Sequence, residues 1–235
     1  MTNLKYICKG EGKPLVLLHG YLSCKESFVY QINYFSKFFK VYAIDLSGFG
    51  ENEPLKTAYS LDDYIKDLLE FVNEKNLTNF HLIAHSFGAR LVLKSRELRT
   101  KIDKLVLTGG AGLKPKRTLK YYFKVYEYKF VKKFFPHSKK LNSFGSSEYK
   151  TLSNVMKLSY TKIVNEHLDS FLNSVSNKTL IINGELDKTT PKYMAKKMHK
   201  RISGSSLVFI KKAGHFAFID KANQFNYIVQ EFLLG

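Results

Sequence analysis

Residues 80–89 read Phe-His-Leu-Ile-Ala-His-Ser-Phe-Gly-Ala, and this stretch is the strongest indication of the fold. Phe80 to Ala84 is a short apolar run of the kind that forms a buried strand, and a helical pattern follows it. Ser86 therefore stands at the apex of a tight turn between a strand and a helix. Ala84 and Gly88, two residues to either side of the serine, are small, as such a strained turn requires. The stretch predicts a nucleophile elbow that presents the Ser86 hydroxyl.

Five further apolar runs predict buried strands along the rest of the chain. They are Pro14 to Leu18, Lys40 to Ile44, Lys104 to Leu107, Thr179 to Ile182 and Ser206 to Ile210. Their near-continuous apolar character is typical of a parallel sheet that is covered on both faces. Helical patterns lie between the runs, and one of them begins behind Ser60 with Asp63 placed for a capping box. The alternation predicts an α/β fold with a doubly wound, mostly parallel sheet.

The alternation of predicted strands and helices stops after Gly112. Residues 113–171 carry helical patterns without a convincing strand, so we predict a helical lid inserted into one core made of residues 1–112 and 172–235. One apolar stripe in the lid recurs at helical spacing and comprises Leu119, Phe123, Tyr126, Phe130 and Phe134. Tyr121 and Tyr128 fall on the other side of that helix, and we expect them to contact the substrate.

Two later stretches supply the partners that a nucleophilic serine needs. A serine hydroxyl is a poor nucleophile at neutral pH, so it requires a histidine base and a carboxylate that fixes the imidazole tautomer. Asp187 and His215 each come shortly after a predicted strand. Ser86, Asp187 and His215 are therefore the predicted catalytic triad, with Glu185 as the alternative acid. The other histidines, including His85, are predicted to be structural or exposed.

Two backbone N–H groups are candidates for an oxyanion hole. The N–H of Phe87 opens the helix after the nucleophile, where the helix N-terminus favours negative charge. The N–H of Tyr21 follows the strand that ends at Leu18, in the sequence His19-Gly20-Tyr21. A purely structural role for His19 and Gly20, which would close the strand, is an equally open interpretation.

Together these motifs resemble those of the α/β-hydrolase superfamily, over nearly the whole chain and in its order of serine, acid and histidine. The loop Asp45 to Gly50 also resembles the family's Asp-x-x-Gly-x-Gly loop, although Ser47 stands where proline is frequent and Asn52 where serine is. The resemblance implies a lidded serine hydrolase of the esterase kind, acting on a small-molecule ester or acyl substrate through an acyl-enzyme on Ser86. No cofactor is implied, and no cluster of residues has metal-ligand spacing.

Arg90 leaves a different substrate open. Ser-x-Gly-x-Arg resembles the menaquinone-pathway synthase of this fold, so Arg90 could grip a substrate carboxylate in such a lyase or in a carbon–carbon bond hydrolase. A helix arginine in a structural ion pair is at least as good an interpretation. Carbon–carbon hydrolases also tend to carry a tryptophan after the histidine, and this chain has no tryptophan. A second alternative is a non-enzymatic ligand-binding protein of the same fold.

The composition sets the remaining expectations. With 44% hydrophobic and 25% charged residues, the chain has ordinary globular usage. No apolar run approaches the length of a membrane span, and Cys8 and Cys24 have no pairing pattern, so we expect a cytoplasmic protein with reduced thiols. The formal net charge of +18 and the basic, aromatic lid leave weak contact with an acidic lipid surface open. No nucleic-acid-binding fold is recognisable, and we expect a monomer or a homodimer.

Overall fold

The computed structural model of the chain describes residues 4–116, 119–134, 149 and 151–235. Its strands are β1 (Tyr6–Lys9), β2 (Pro14–Leu18), β3 (Lys40–Ile44), β4 (Phe80–His85), β5 (Ile102–Thr108), β6 (Lys178–Gly184) and β7 (Ser206–Ile210). They form one sheet in the order β1-β3-β2-β4-β5-β6-β7. Strand β1 runs antiparallel to β3, and every other neighbouring pair is parallel.

All six predicted strands are confirmed, and β4, β5 and β6 are slightly longer than their apolar runs. Strand β1 is the one that the sequence pattern missed. It is four residues long and largely exposed, and its apolar run is too short to indicate a strand. The ladder to β3, in which Ile7 pairs with Ala43, holds it at the edge of the sheet.

Helices cover both faces of the sheet. They are α1 (Val29–Phe35), α2 (Leu61–Glu74), α3 (Phe87–Lys94), α4 (Arg96–Thr100), α5 (Leu119–Phe134), α6 (Asn154–Asn165), α7 (Lys192–Arg201), α8 (Ala217–Asp220) and α9 (Ala222–Leu234), with 3-10 turns at Lys25–Phe28 and Asp169–Ser174. Residues of α2, α3 and α7 join one hydrophobic cluster, and residues of α1 and α9 join the other. Neighbouring residues of β2 point to opposite clusters, Leu15 to one and Val16 to the other. The predicted doubly wound α/β sheet is confirmed.

Helix α2 has local sequence signals both for its first turn and for its buried face. The Ser60 side chain accepts a hydrogen bond from the Asp63 N–H, and the Asp63 carboxylate accepts one from the Ser60 N–H at 2.7 Å. This is the predicted capping box, and such an N-cap contributes about 1 kcal/mol. Leu61, Tyr64 and Leu68 then recur at helical spacing and are buried against the sheet.

The described residues between β5 and β6 contain two helices, α5 and α6, followed by the 3-10 turn Asp169–Ser174. The predicted boundary between residues 171 and 172 falls inside that turn. The predicted apolar stripe of α5 faces solvent, because Phe123 is 76% exposed and Phe130 and Phe134 are each 57% exposed. No helix in the described part of the chain is both long and apolar enough to cross a bilayer.

Candidate active site

Several of the predicted site residues meet at one edge of the sheet, where the carboxyl ends of the parallel strands lie. This is the edge at which open α/β sheets bind ligands. A cavity of about 540 Å³ opens there. Its lining includes Tyr21 after β2, Ser86 and Phe87 after β4, and His215 after β7. Arg90, one helical turn beyond Ser86 on α3, lines it as well.

Ser86 has the strained backbone that its position in the turn predicts. Its φ is +47° and its ψ is −100°, a conformation that costs a non-glycine residue on the order of 1 to 3 kcal/mol. The Ser86 N–H donates to the Thr108 carbonyl at 3.1 Å, which helps to hold the turn. A Cβ on Gly88 would lie 2.7 Å from the Leu18 carbonyl oxygen, so α3 packs against β2 only because residue 88 has no side chain.

His215 and Asp187 form the pair that the sequence predicted. His215 Nδ1 lies 2.8 Å from Asp187 Oδ2. The same oxygen accepts a hydrogen bond from the Thr190 hydroxyl at 2.7 Å, and Oδ1 accepts from the backbone N–H groups of Thr189 and Thr190. Burial alone would raise the pKa of Asp187, but the hydrogen bonds from His215 and Thr190 outweigh it and hold that pKa below its ordinary value. The carboxylate is therefore ionised and fixed in direction.

Glu185 lies two residues before Asp187 and takes a different partner. Its carboxylate binds Lys192 Nζ at 2.8 Å. The hydrogen bonds of the described residues thus connect His215 to Asp187 and leave Glu185 in a partly exposed ion pair. They include no bond from the Ser86 hydroxyl to His215, although both side chains line the cavity. Such a bond often tightens only when substrate is bound.

The two predicted oxyanion donors both border the cavity. Phe87 is the first residue of α3, and the first N–H groups of a helix have no partner within it. The Tyr21 N–H belongs to the same peptide as the Gly20 carbonyl, which accepts a hydrogen bond from His19 Nδ1 at 2.7 Å. Because a trans peptide points its C=O and N–H in opposite directions, this bond turns the Tyr21 N–H away from His19.

The protonation of His19 follows from its partners. Its Nε2 accepts a hydrogen bond from the Leu46 N–H at 3.0 Å, so the proton of a neutral ring stands on Nδ1. Burial lowers the pKa of His19 to about 4, which keeps the ring neutral at physiological pH. The sequence prediction left the role of His19 open, and Thr190 was not singled out. The His-Gly pair was the available signal for His19.

Arg90 contacts the end of α6. Its Nη1 donates to the carbonyl oxygens of Ile163 at 2.8 Å and Glu166 at 3.1 Å. A cation is favourable at a helix C-terminus because of the helix dipole. Burial lowers the pKa of Arg90 to about 10. Within the described residues no carboxylate lies at salt-bridge distance from Arg90, and the Glu166 carboxylate binds Lys94 Nζ at 2.6 Å. Hydrogen bonds to carbonyls therefore stand in place of the ion pair that was one interpretation of Arg90.

Tyr21 also connects the site to α6. Its hydroxyl donates to the Met156 carbonyl at 3.1 Å, and its ring lies 5.2 Å from the ring of Tyr160. On the other side its ring contacts Phe49 and Phe87. Helix α6 therefore forms one wall of the cavity. The side chains of Tyr121 and Tyr128, predicted to bind substrate, lie outside the described residues.

Two family descriptions match this chain. Residues 13–143 match the family described as alpha/beta hydrolase fold, and residues 156–235 match the family described as TAP-like protein. This chain is a member of the α/β-hydrolase fold family. The AB hydrolase superfamily protein YisY of Bacillus subtilis (strain 168) is 26% identical over 254 residues, which cover 95% of this chain and 92% of that protein.

Relatives in this α/β-hydrolase family differ in the bond that they cleave. The 2-hydroxy-6-oxo-6-(2'-aminophenyl)hexa-2,4-dienoic acid hydrolase of Metapseudomonas resinovorans is 24% identical and covers 97% of this chain and 87% of its own length. Among solved structures, an esterase from Exiguobacterium antarcticum superposes with a TM-score of 0.79 at 24% identity, covering 99% of this chain and 96% of its own. A meta-cleavage product hydrolase from Pseudomonas fluorescens superposes with a TM-score of 0.74 at 21% identity, covering 98% and 93%. The solved structures show the fold, and the family match over residues 13–143 shows an α/β hydrolase.

Proposed function

We propose that this protein is a serine hydrolase that cleaves a carboxylic ester or a related acyl bond. Ser86 is the nucleophile, His215 the general base and Asp187 the acid that orients it. The observation that carries the proposal is the 2.8 Å contact between His215 Nδ1 and Asp187 Oδ2, beside the cavity that Ser86 lines. A serine at the strained apex favours acyl transfer, because its hydroxyl becomes a nucleophile once a histidine removes the proton.

The reaction follows from the roles of these groups. Ser86 Oγ attacks the acyl carbon while His215 Nε2 takes the hydroxyl proton, and the carbonyl oxygen becomes an oxyanion that accepts bonds from the N–H groups of Tyr21 and Phe87. The tetrahedral intermediate expels the alcohol, which receives the proton from His215. Water then attacks the acyl-enzyme with His215 as base, which releases the acid and restores Ser86.

The proposal is tested by matched substitutions in one ester assay with p-nitrophenyl butyrate. Ser86→Ala should remove nearly all turnover and all labelling by a fluorophosphonate probe. Asp187→Asn should preserve folding and lower kcat by about 10⁴-fold, because the imidazole loses the carboxylate that fixes its tautomer. Glu185→Gln is the control and should change little. Wild-type turnover in Ser86→Ala would refute the proposal, and an unlabelled wild type would favour the non-enzymatic ligand-binding alternative.

A carbon–carbon bond hydrolase or a lyase with a carboxylated substrate is the second candidate. It is favoured by Arg90, which lines the cavity and whose guanidinium has no carboxylate at salt-bridge distance within the described residues. If Arg90 grips a carboxylate, wild-type protein should prefer p-nitrophenyl hemisuccinate to p-nitrophenyl butyrate, and Arg90→Met should remove that preference. Equal loss of activity on both esters would assign Arg90 to packing alone.

We further propose that α5 and α6 act as a lid and that α5 contacts an anionic lipid surface. The exposed side chains of Phe123, Tyr126, Phe130 and Phe134 form the apolar stripe of α5. Lys129 and Lys133 on the same helix are exposed, and the chain carries a net charge of +18. An apolar stripe beside basic side chains fits the interface of a bilayer with acidic headgroups.

A further inference from the structure

His85 is a buried side chain beside the proposed triad that none of the proposed steps uses. It is the last residue of β4 and directly precedes Ser86, and only 1% of its surface is exposed. Its Nε2 lies 3.2 Å from the backbone carbonyl oxygen of His215. A carbonyl oxygen can only accept, so Nε2 carries the proton and donates. Burial lowers the pKa of His85 to about 3, so the ring is neutral and Nδ1 is bare.

The Nδ1 edge of the His85 ring faces the Gly20–Tyr21 backbone, which carries a proposed oxyanion donor. A Cβ on Gly20 would lie 2.8 Å from His85 Nδ1, so the ring rests directly against the Gly20 backbone. Nδ1 has no hydrogen-bond partner in the part of the chain that the structure describes. The Gly20–Tyr21 peptide carries the Tyr21 N–H. One side of His85 therefore supports the loop of a proposed oxyanion donor, and the other side holds the backbone of the proposed base.

Aromatic packing fixes the ring between these two contacts. The centroid of His85 lies 4.7 Å from the His215 ring, 5.1 Å from the Phe216 ring and 4.9 Å from the Phe218 ring. These neighbours belong to the loop after β7 and to α8. A side chain packed on several sides cannot change rotamer without moving its neighbours, so the Nε2 donor has one direction.

We propose that His85 is a positioning residue that sets the His215 backbone relative to Ser86 through the Nε2–H bond to the His215 carbonyl. The proposal rests on the proposed function of Ser86 and His215. Because His85 and Ser86 are consecutive, the bond ties the backbone of the base to the strand that carries the nucleophile. Small displacements of a catalytic group cost large factors in rate, so this tie contributes to the geometry of proton transfer.

Three substitutions separate this role from packing. His85→Gln keeps an N–H donor near the place of Nε2, His85→Met fills a similar volume without a donor, and His85→Asn is polar but too short to reach the carbonyl. We expect Met and Asn to lower kcat for p-nitrophenyl butyrate by about tenfold or more, with KM changed less than about twofold. Gln should restore kcat to within about threefold of wild type.

The outcomes that overturn the proposal are distinct from failure of the proposed function. Equal kcat values in the Gln, Met and Asn variants would overturn it, as would losses that only follow a fall in Tm. If Met or Asn fails to fold, the other is compared with Gln. If Gln fails to fold, Met and Asn are compared with wild type, which has the donor. Ser86→Ala in the same assay is the reference. If it abolishes turnover while His85→Met is like wild type, only the role of His85 fails; if it leaves turnover intact, the proposed function fails.

Discussion

Helices α5 and α6, which lie between β5 and β6, differ in what their side chains contact. Helix α6 is tied to the core at several points, because Arg90 binds the carbonyls at its end and Tyr21 binds the Met156 carbonyl near its start. The Ser159 hydroxyl also accepts a hydrogen bond from the Tyr59 N–H at 2.9 Å. Helix α5 presents its apolar stripe to solvent, with Phe123 76% exposed. One insertion therefore contains a wall of the cavity and an outer surface.

The difference shows that helical periodicity does not identify the partner of an apolar face. The stripes of α2 and α5 have the same kind of spacing, yet one is buried against the sheet and the other is not. Large exposed apolar patches are uncommon on monomeric proteins, so the stripe of α5 supports the proposed contact with a lipid surface. Changes in the core should thus alter the stability of α6, whereas changes on α5 should alter its contact with an outside surface.

Acidification should have the largest effect and should act on the core and α6 together. Burial lowers the pKa of His19 and His81 to about 4 and that of His85 to about 3, below the ordinary value of 6.5. Below pH 6.5 the unfolded chain binds more protons than the folded protein, so stability falls as the pH falls toward 4. The loss is about 1.4 kcal/mol per pH unit for each histidine.

Urea unfolding at pH 7, 6 and 5 measures this loss, and hydrogen exchange corrected for its intrinsic rate locates it. Protection of α6 should fall in step with protection of β4, whereas α5 should not follow. A pH-independent free energy of unfolding would contradict the prediction.

Arg90→Met should have the next largest effect. It removes two charge-assisted hydrogen bonds and leaves the carbonyls of Ile163 and Glu166 without that donor, for a loss of about 3 kcal/mol. We expect a lower Tm by calorimetry and a lower kcat/KM, because α6 forms one wall of the cavity. Arg96→Met, at an exposed position of α4, should change neither. An unchanged Tm in Arg90→Met would show that α6 is not anchored by this arginine.

Substitutions on the α5 stripe should change binding to vesicles and leave the core intact. Phe130→Ser with Phe134→Ser should reduce sedimentation with phosphatidylglycerol vesicles about tenfold or more. Burying each phenylalanine ring in the bilayer interface would contribute roughly 2 kcal/mol to the binding free energy. Tyr227→Ser on α9 is the control, since Tyr227 is 62% exposed but lies outside the stripe. Wild-type binding should weaken with added salt and with neutral lipid. Equal binding to neutral vesicles, or none to either kind, would exclude an anionic surface as the partner.

Shortening Tyr121 and Tyr128 to Ala should have the smallest effect. We expect a change of a few-fold in the relative rates for short and long acyl chains, with little change in Tm. p-Nitrophenyl acetate and octanoate measure the ratio, and Phe123→Ala on the exposed stripe serves as the comparison. A fall in Tm of many degrees with an unchanged substrate profile would assign these rings to the core.

Local sequence patterns predicted most of the sheet and the chain order of the site residues. Apolar runs and their connections predicted six strands, since burial on both faces demands continuous apolar segments. Small residues around Ser86 predicted the strained turn that the structure has, because only a compact backbone fits there. Asp187 and His215 were placed by chain order, since residues after parallel strands meet at one edge of the sheet.

Long-range packing determines which neighbours these residues contact. Strand β1 forms because β3 offers an edge, and its own four residues are too short and too exposed a run to indicate a strand. Glu185 and Asp187 are near-equivalent in sequence, and the contact with His215, 28 residues further on, distinguishes them. Arg90 meets carbonyls of α6 that lie 73 and 76 residues away. Local patterns encode propensity and burial within one element, whereas hydrogen-bond partners depend on how distant elements pack.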